Sequence, residues 1–293
     1  MTISSNYSDI RFGIENNAER YSWAAYHLFG VLSTLIGDTL ILFASLQKDA
    51  FKVNKFILTV IQHIAASDLI SAICTPFSGS VSLLANSWVL GETLCYARVY
   101  VGNYAYLVGM SLIAVLTTSK FLLLRYPLRA ASWSTKRAHQ VCSFIWASIL
   151  ILPILLFIVD KDDVEFDYII YNCQYRYSSD IWNKILPFTG FLFALLPNII
   201  IVGTTVPTLK YLADARISAR RVQGSVLWQG NLTVVLTAVI YCISTFPYSI
   251  YTIIVESFMT EDPPEWGHVG FKRMSYFLML LNINPSVITV RFS

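Results

Sequence analysis

The stretch Ala138–Val159, AHQVCSFIWASILILPILLFIV, holds no Asp, Glu, Lys or Arg in 22 residues. As a helix rising 1.5 Å per residue it reaches about 30 Å, the thickness of a bilayer's hydrocarbon core. A soluble core helix has a polar face, and this stretch offers only His139, Gln140, Ser143 and Ser148. It decides the solvent in which the chain folds.

Working outward, comparable apolar runs recur at about 23–47, 55–84, 93–124, 138–159, 182–211, 227–255 and 270–290. Seven helical spans in one bundle follow, an all-α membrane protein. Each run carries scattered polar residues, as helices packed on one another do. Barrel strands would read as segments of about ten residues alternating in hydropathy, which the runs do not. The composition agrees: 55% hydrophobic and 13% charged, where soluble domains carry about 25% charge. Trp23, Trp88, Trp182 and Trp266 sit near run ends, where indoles favour the membrane boundary.

Charge asymmetry sets the expected orientation. With residues 1–22 outside as a tail, and 23–293 as the membrane domain, the inner side holds thirteen basic residues against Asp49 and Asp214. The outer side holds eight basic and fourteen acidic residues. Asp38 and Asp68 fall inside spans. The expected address is the plasma membrane, multi-pass, with lipid as the surrounding partner. The sequon Asn6-Tyr7-Ser8 then lies on an outer tail, where a glycan can be added.

Of five cysteines, Cys74, Cys142 and Cys242 lie within spans and read as small packing residues. Cys95 and Cys173 both face the expected oxidising side, where a bridge between them is chemically allowed. A net charge of +3 gives no nucleic-acid footprint. No phosphate loop, His-Glu-x-x-His or Gly-x-Ser-x-Gly is present, and His27, His63, His139 and His268 lie on separate segments. No enzyme, metal or cofactor is expected. A transporter is the weaker alternative, since intramembrane acids mark function, but no internal repeat supports it.

Eight landmarks in order resemble the rhodopsin-like (class A) G-protein-coupled receptor family. Ile36-Gly37-Asp38-Thr39-Leu40 is similar to its first-helix Gly-Asn signature, with Asp for Asn. Ile64-Ala-Ala-Ser67-Asp68-Leu69 resembles the second-helix signature, and Trp88-Val-Leu-Gly91-Glu-Thr-Leu-Cys95 the first outer loop. Trp146, Pro197, Ser244-Thr245-Phe246-Pro247 and Asn284-Pro285-Ser286-Val287-Ile288 take the remaining helix positions, and Cys173 that of the bridging outer-loop Cys. The resemblance implies a Cys95–Cys173 bridge and kinks at Pro197, Pro247 and Pro285. It also implies a ligand-sensing receptor signalling through a heterotrimeric G protein. Counting 25 residues from Cys95 places Ser119-Lys120-Phe121 where the family has Asp-Arg-Tyr.

The departures mark a divergent, orphan-type member. Lys120 keeps the charge of Arg but loses its planar fork, and Ser119 cannot pair with it as Asp would. Ile288 replaces a Tyr, Thr205 its usual partner, and Thr245 a Trp. Only three residues follow the seventh run, too few for an eighth helix or a palmitoylated tail. With Ser119, Lys120, Phe121, Arg125 and Ile288 as the coupling set, low efficacy is expected. A decoy receptor with little signalling is the alternative. Relatives bind sodium between the positions of Asp38, Asp68 and Asn284. Here Gly109 and Leu280 remove two oxygen ligands, and a hard cation wants about six. A carboxyl pair sharing a proton, with sodium binding weak or lost, is expected instead.

For the ligand, the resemblance implies an outward pocket lined by Gly102, Asn103, Tyr106, Phe188, Phe191, Thr245, Tyr248, Thr252, Met274 and Leu278. Gly102 stands where amine receptors carry Asp, and Leu278 where opsins carry Lys, so monoamine and retinal are disfavoured. The outer loop holds Asp160, Asp162, Asp163, Glu165 and Asp167 around the start of the Tyr- and Ile-rich stretch Phe166–Tyr177. Partial alternation there suits a β-hairpin lid. Its acids would steer a cationic ligand, so a basic peptide is the expected class.

Overall fold

The computed structural model describes residues 14, 16–45, 54–130, 132–159, 164–175, 181–218, 239–240, 242–243, 245, 247 and 266–279. Helix α1 is Asn17–Ser45, α2 is Lys55–Ala85 and α3 is Gly91–Arg125. A short helical turn, Pro127–Ala130, leads to α4, Thr135–Val159. The hairpin β1, Val164–Asp167, and β2, Asn172–Tyr175, follows. Then come α5, Ile181–Ser218, and α6, Trp266–Met279, the latter on the seventh apolar run. The described residues of the sixth run, 239–247, are helical.

Local chemistry sets the helix ends. Asn54 caps α2, its side chain accepting from the Phe56 amide at 2.8 Å. Asn86 closes α2 in the left-handed conformation, φ 57°, which Asn tolerates better than most side chains. Inside α2, Pro76 lacks an amide hydrogen, and the helix widens to a π-turn over Ile73–Phe77. A second π-turn, Arg98–Gly102, lies in α3. The first has Pro76 as its sequence signal, and the second has none.

Among the described residues the bundle holds two larger apolar cores and a small one of Ala72, Ile170 and Tyr276. The largest joins Ile41 of α1, Val60 and Ile64 of α2, Val108 and Leu112 of α3, Cys142 and Leu152 of α4 and Ile201 of α5. The second lies at one end and includes Ala24, Leu83, Val99, Phe166, Tyr171 and the two bonded cysteines. Apolar residues also face outward, such as Phe29, Leu40 and Phe43 on α1 and Phe144 and Ile158 on α4. Such a surface suits lipid, where only the backbone needs internal partners. On α1 the buried stripe Arg20, Ala24, His27, Val31, Thr34, Asp38, Ile41 keeps helical spacing.

Candidate functional site: a lidded end of the bundle

The hairpin closes one end of the bundle. Its register pairs Val164 with Tyr175, Glu165 with Gln174, Phe166 with Cys173 and Asp167 with Asn172. Cys173 is bonded to Cys95 of α3, with their Cα atoms 5.4 Å apart. The tip does not stand in water: Ile170, Tyr171 and Asn172 are all but fully buried. Ile170 packs on Ala72 of α2 and Tyr276 of α6. Tyr171, at φ 51°, turns the chain so that its hydroxyl donates to Asn86 at 3.0 Å and accepts from the Ile14 amide at 3.0 Å.

Asn172 ties three elements together. Its amide nitrogen donates to the Thr75 carbonyl at 2.9 Å and to the Tyr276 hydroxyl at 3.0 Å. Its oxygen accepts from Ser78 Oγ at 3.0 Å. The Thr75 carbonyl lies in the π-turn beside Pro76, and such turns free backbone acceptors for outside donors. Lys272 of α6 pairs with Asp167 at 2.9 Å, both side chains under 10% exposed. Arg273 donates to the Ile169 carbonyl at 3.1 Å and stands 3.6 Å from Glu19 of α1. The lid is thus joined to α2, α3 and α6, and through Arg273 to α1.

Beneath it, α2 and α3 meet closely at Gly102. A Cβ there would stand 3.0 Å from Thr75 Oγ1 and 3.1 Å from the Cys74 Cβ. Gly102 therefore packs against α2 and is not open pocket wall. Asn103 is exposed and accepts from Arg98 Nη1 at 3.0 Å. Tyr106 is half-buried against the Ala72–Ile170–Tyr276 cluster. Thr245 is buried and donates to Asn198 of α5 at 3.4 Å, beside buried Pro197. Pro247 lies on the helical part of the sixth run. Met274 is exposed, as is Phe271, while Lys272, Ser275 and Tyr276 of α6 are buried. Phe188 and Phe191 belong to α5 and Leu278 to α6. Tyr248, Thr252, Asn284, Pro285, Ile288 and Asn6 lie outside the described residues.

In mid-bundle, Asp38 and Asp68 are both buried. A Cβ at Gly109 would stand 3.1 Å from Ser67 Oγ and 3.5 Å from Asp68 Oδ1. At the end away from the lid, Ser119 is buried, Lys120 and Phe121 are half-buried and Arg125 is exposed. Among the described residues no carboxylate pairs with Lys120. Two histidines from separate segments do meet: His63 Nε2 and His139 Nδ1 are 3.2 Å apart. No third metal-ligating side chain joins them among the described residues.

Sequence reasoning missed Asn172, Tyr171, Lys272, Arg98 and Tyr276. One signal was available. Lys272 and Arg273 sit inside an apolar run near its start, where a charge needs a partner or water.

The family model for the 7 transmembrane receptor (rhodopsin family) matches residues 22–287. Proteinase-activated receptor 1 of Papio hamadryas is 26% identical over 81% of this chain and 55% of its own length. The human receptor of that name is 25% identical over the same shares. Galanin receptor 2b of Danio rerio is 22% identical over 89% of this chain and 69% of its own. The chain thus spans about half the length of the first of these relatives. Squid rhodopsin superimposes with a TM-score of 0.78 at 15% identity, covering 98% of this chain and 85% of that one. That likeness concerns the fold: a seven-transmembrane helix bundle.

Proposed function

The chain belongs to the rhodopsin family of seven-transmembrane receptors, and on that premise we propose that it reads an extracellular ligand and signals through a heterotrimeric G protein. The N-terminus and the lid face outward in this reading, and the receptor sits in the plasma membrane. The observation that carries it is the lid: a disulfide-bonded hairpin seated in one end of the bundle, with the Lys120 cluster at the other. A conformational receptor needs these two distinct ends, one that meets the ligand and one that meets the partner.

A peptide is the favoured ligand. A rigid hairpin offers backbone edges and a shaped rim to an extended chain. Of the lid's acids, Asp167 is already spent on Lys272, so steering of a basic peptide falls to Glu165 of β1 and to Asp160, Asp162 and Asp163, the last three outside the described residues. A monoamine is disfavoured because Gly102 supplies no carboxylate, and retinal because Leu278 supplies no amine.

The decoy reading has its own support in Ser119 and Lys120, which offer the G protein neither the acid–base pair nor the planar fork of the family. A transporter draws only on buried Asp38 and Asp68. A second-messenger assay on cells carrying the chain, screened with a peptide library, tests the proposal. A peptide-dependent signal lost on Cys173→Ala supports it. Surface-expressed chain that binds peptide without signal favours the decoy, and peptide-independent solute flux in proteoliposomes favours the transporter.

A further inference from the structure

Among the described residues, Arg98 is a buried charge of the lidded end with no carboxylate partner. It sits in the π-turn of α3 and is 3% exposed. The wide i to i+5 turn brings residue 103 onto its face, and Nη1 donates to Asn103 Oδ1 at 3.0 Å. Asn103 is neutral. Arg98 Nε is buried with no hydrogen-bond partner among the described residues, and no described carboxylate pairs with the guanidinium. The methylene chain passes Gly102, whose missing side chain lets α2 close in through Cys74 and Thr75.

Two neighbouring charges differ: Lys272 has Asp167, and Arg273 has Glu19. Arg20, in the first turn of α1, shares with Arg98 a buried Nε without a hydrogen-bond partner among the described residues, but its guanidinium bonds Asn17 at 2.9 Å and lies over the ring of half-exposed Tyr21. Arg98 lies deeper, beside the Thr75 position whose carbonyl holds the lid. A buried guanidinium is tolerated when an anion completes it. Its planar fork matches a carboxylate in two parallel hydrogen bonds. Asn103, being exposed, marks open space at the Nη1 end.

We propose that the ligand of the lidded end carries a carboxylate, and that Arg98 is the residue that takes it. On a peptide the group is the C-terminal carboxylate or an acidic side chain. The ligand then enters anion first, past the lid rim, and neutralises a charge that the folded protein leaves open. This deepens the receptor reading and rests on it for the outward direction of the site.

The experiment uses the full chain in lipid nanodiscs and a matched pair of probes, N-acetylphenylalanine and N-acetylphenylalanine amide, which differ only in the carboxylate. Thermal unfolding is followed against probe concentration. The acid should bind roughly tenfold or more tightly than the amide, as charge-assisted hydrogen bonds do over neutral ones. Arg98→Gln should abolish the preference and raise the melting temperature without probe. Asn103→Asp, which supplies a carboxylate on the Nη1 contact while keeping Arg98, should do the same. Equal response to acid and amide, or to neither, overturns the proposal. So does a preference for the acid that survives in both variants. Because the readout needs no G protein, a missing anion preference indicts this inference, and a missing second-messenger signal indicts the receptor reading.

Discussion

The two ends of the bundle are held by different chemistry. At the lidded end the hairpin is fastened by a disulfide, a buried ion pair and the hydrogen bonds of Asn172 and Tyr171. At the opposite end the described contacts are mostly apolar packing, with the His63–His139 contact, the 2.7 Å bond from Gln62 to Ser45, the 3.2 Å bond from Thr204 to Thr117 and the Asn54 cap. Polar cross-links fix one geometry, because each donor must meet its acceptor. Apolar packing tolerates sliding at small cost when volume is kept. One end is therefore built to hold a shape and the other to change it, as a receptor driven from the lidded end requires.

The strongest way to break the contrast is Lys272→Met. It strands the Asp167 carboxylate in a buried site, a loss of about 3–5 kcal/mol. Adding Asp167→Leu should recover most of it, because the pair as a whole costs desolvation. Folded surface protein, counted by conformation-sensitive antibody, reads both. A single variant as stable as wild type would show that the buried pair does not hold the lid.

Next in size are Cys95→Ala and Cys173→Ala, each expected to lose about 2–4 kcal/mol and much surface expression. The double variant should be no worse than either single one. Additive losses would mean the two thiols act separately.

Tyr276→Phe removes one acceptor of Asn172 and leaves the Thr75 carbonyl in place, so about 1 kcal/mol is expected. Ser45→Ala, the matching deletion at the opposite end, should cost about half as much, because its Gln62 partner is half-buried and can turn to another acceptor. Thermal melts of the two in the same nanodiscs compare the ends directly. A larger loss for Ser45→Ala would reverse the contrast.

The smallest effect on stability belongs to Lys120→Arg with Ile288→Tyr. It should leave the melting temperature near wild type while raising ligand-dependent second messenger. Unchanged signalling would show that these two positions do not set the coupling.

Uncharged runs such as Ala138–Val159 made the membrane bundle legible, because hydropathy is a property of neighbours in sequence. The Cys95–Cys173 relation was legible through resemblance, since pairing is a property of the fold. Asn172 was not, although it stands next to Cys173. Its three partners come from α2 and α6, and nothing local marks Thr75 or Tyr276 as waiting acceptors. Arg98 was hidden for a related reason. Three residues after Cys95, at the edge of a run, an Arg reads as a boundary charge. Only the π-turn and the close approach at Gly102 turn it inward.

The claim that the lid is a fixed part of the bundle is tested most directly by hydrogen exchange of the Val164–Tyr175 amides in the full chain in nanodiscs. Exchange as slow as that of the α2–α3 core, and accelerated by Asn172→Ala, is the expected result. Exchange at the rate of an unstructured peptide would contradict it.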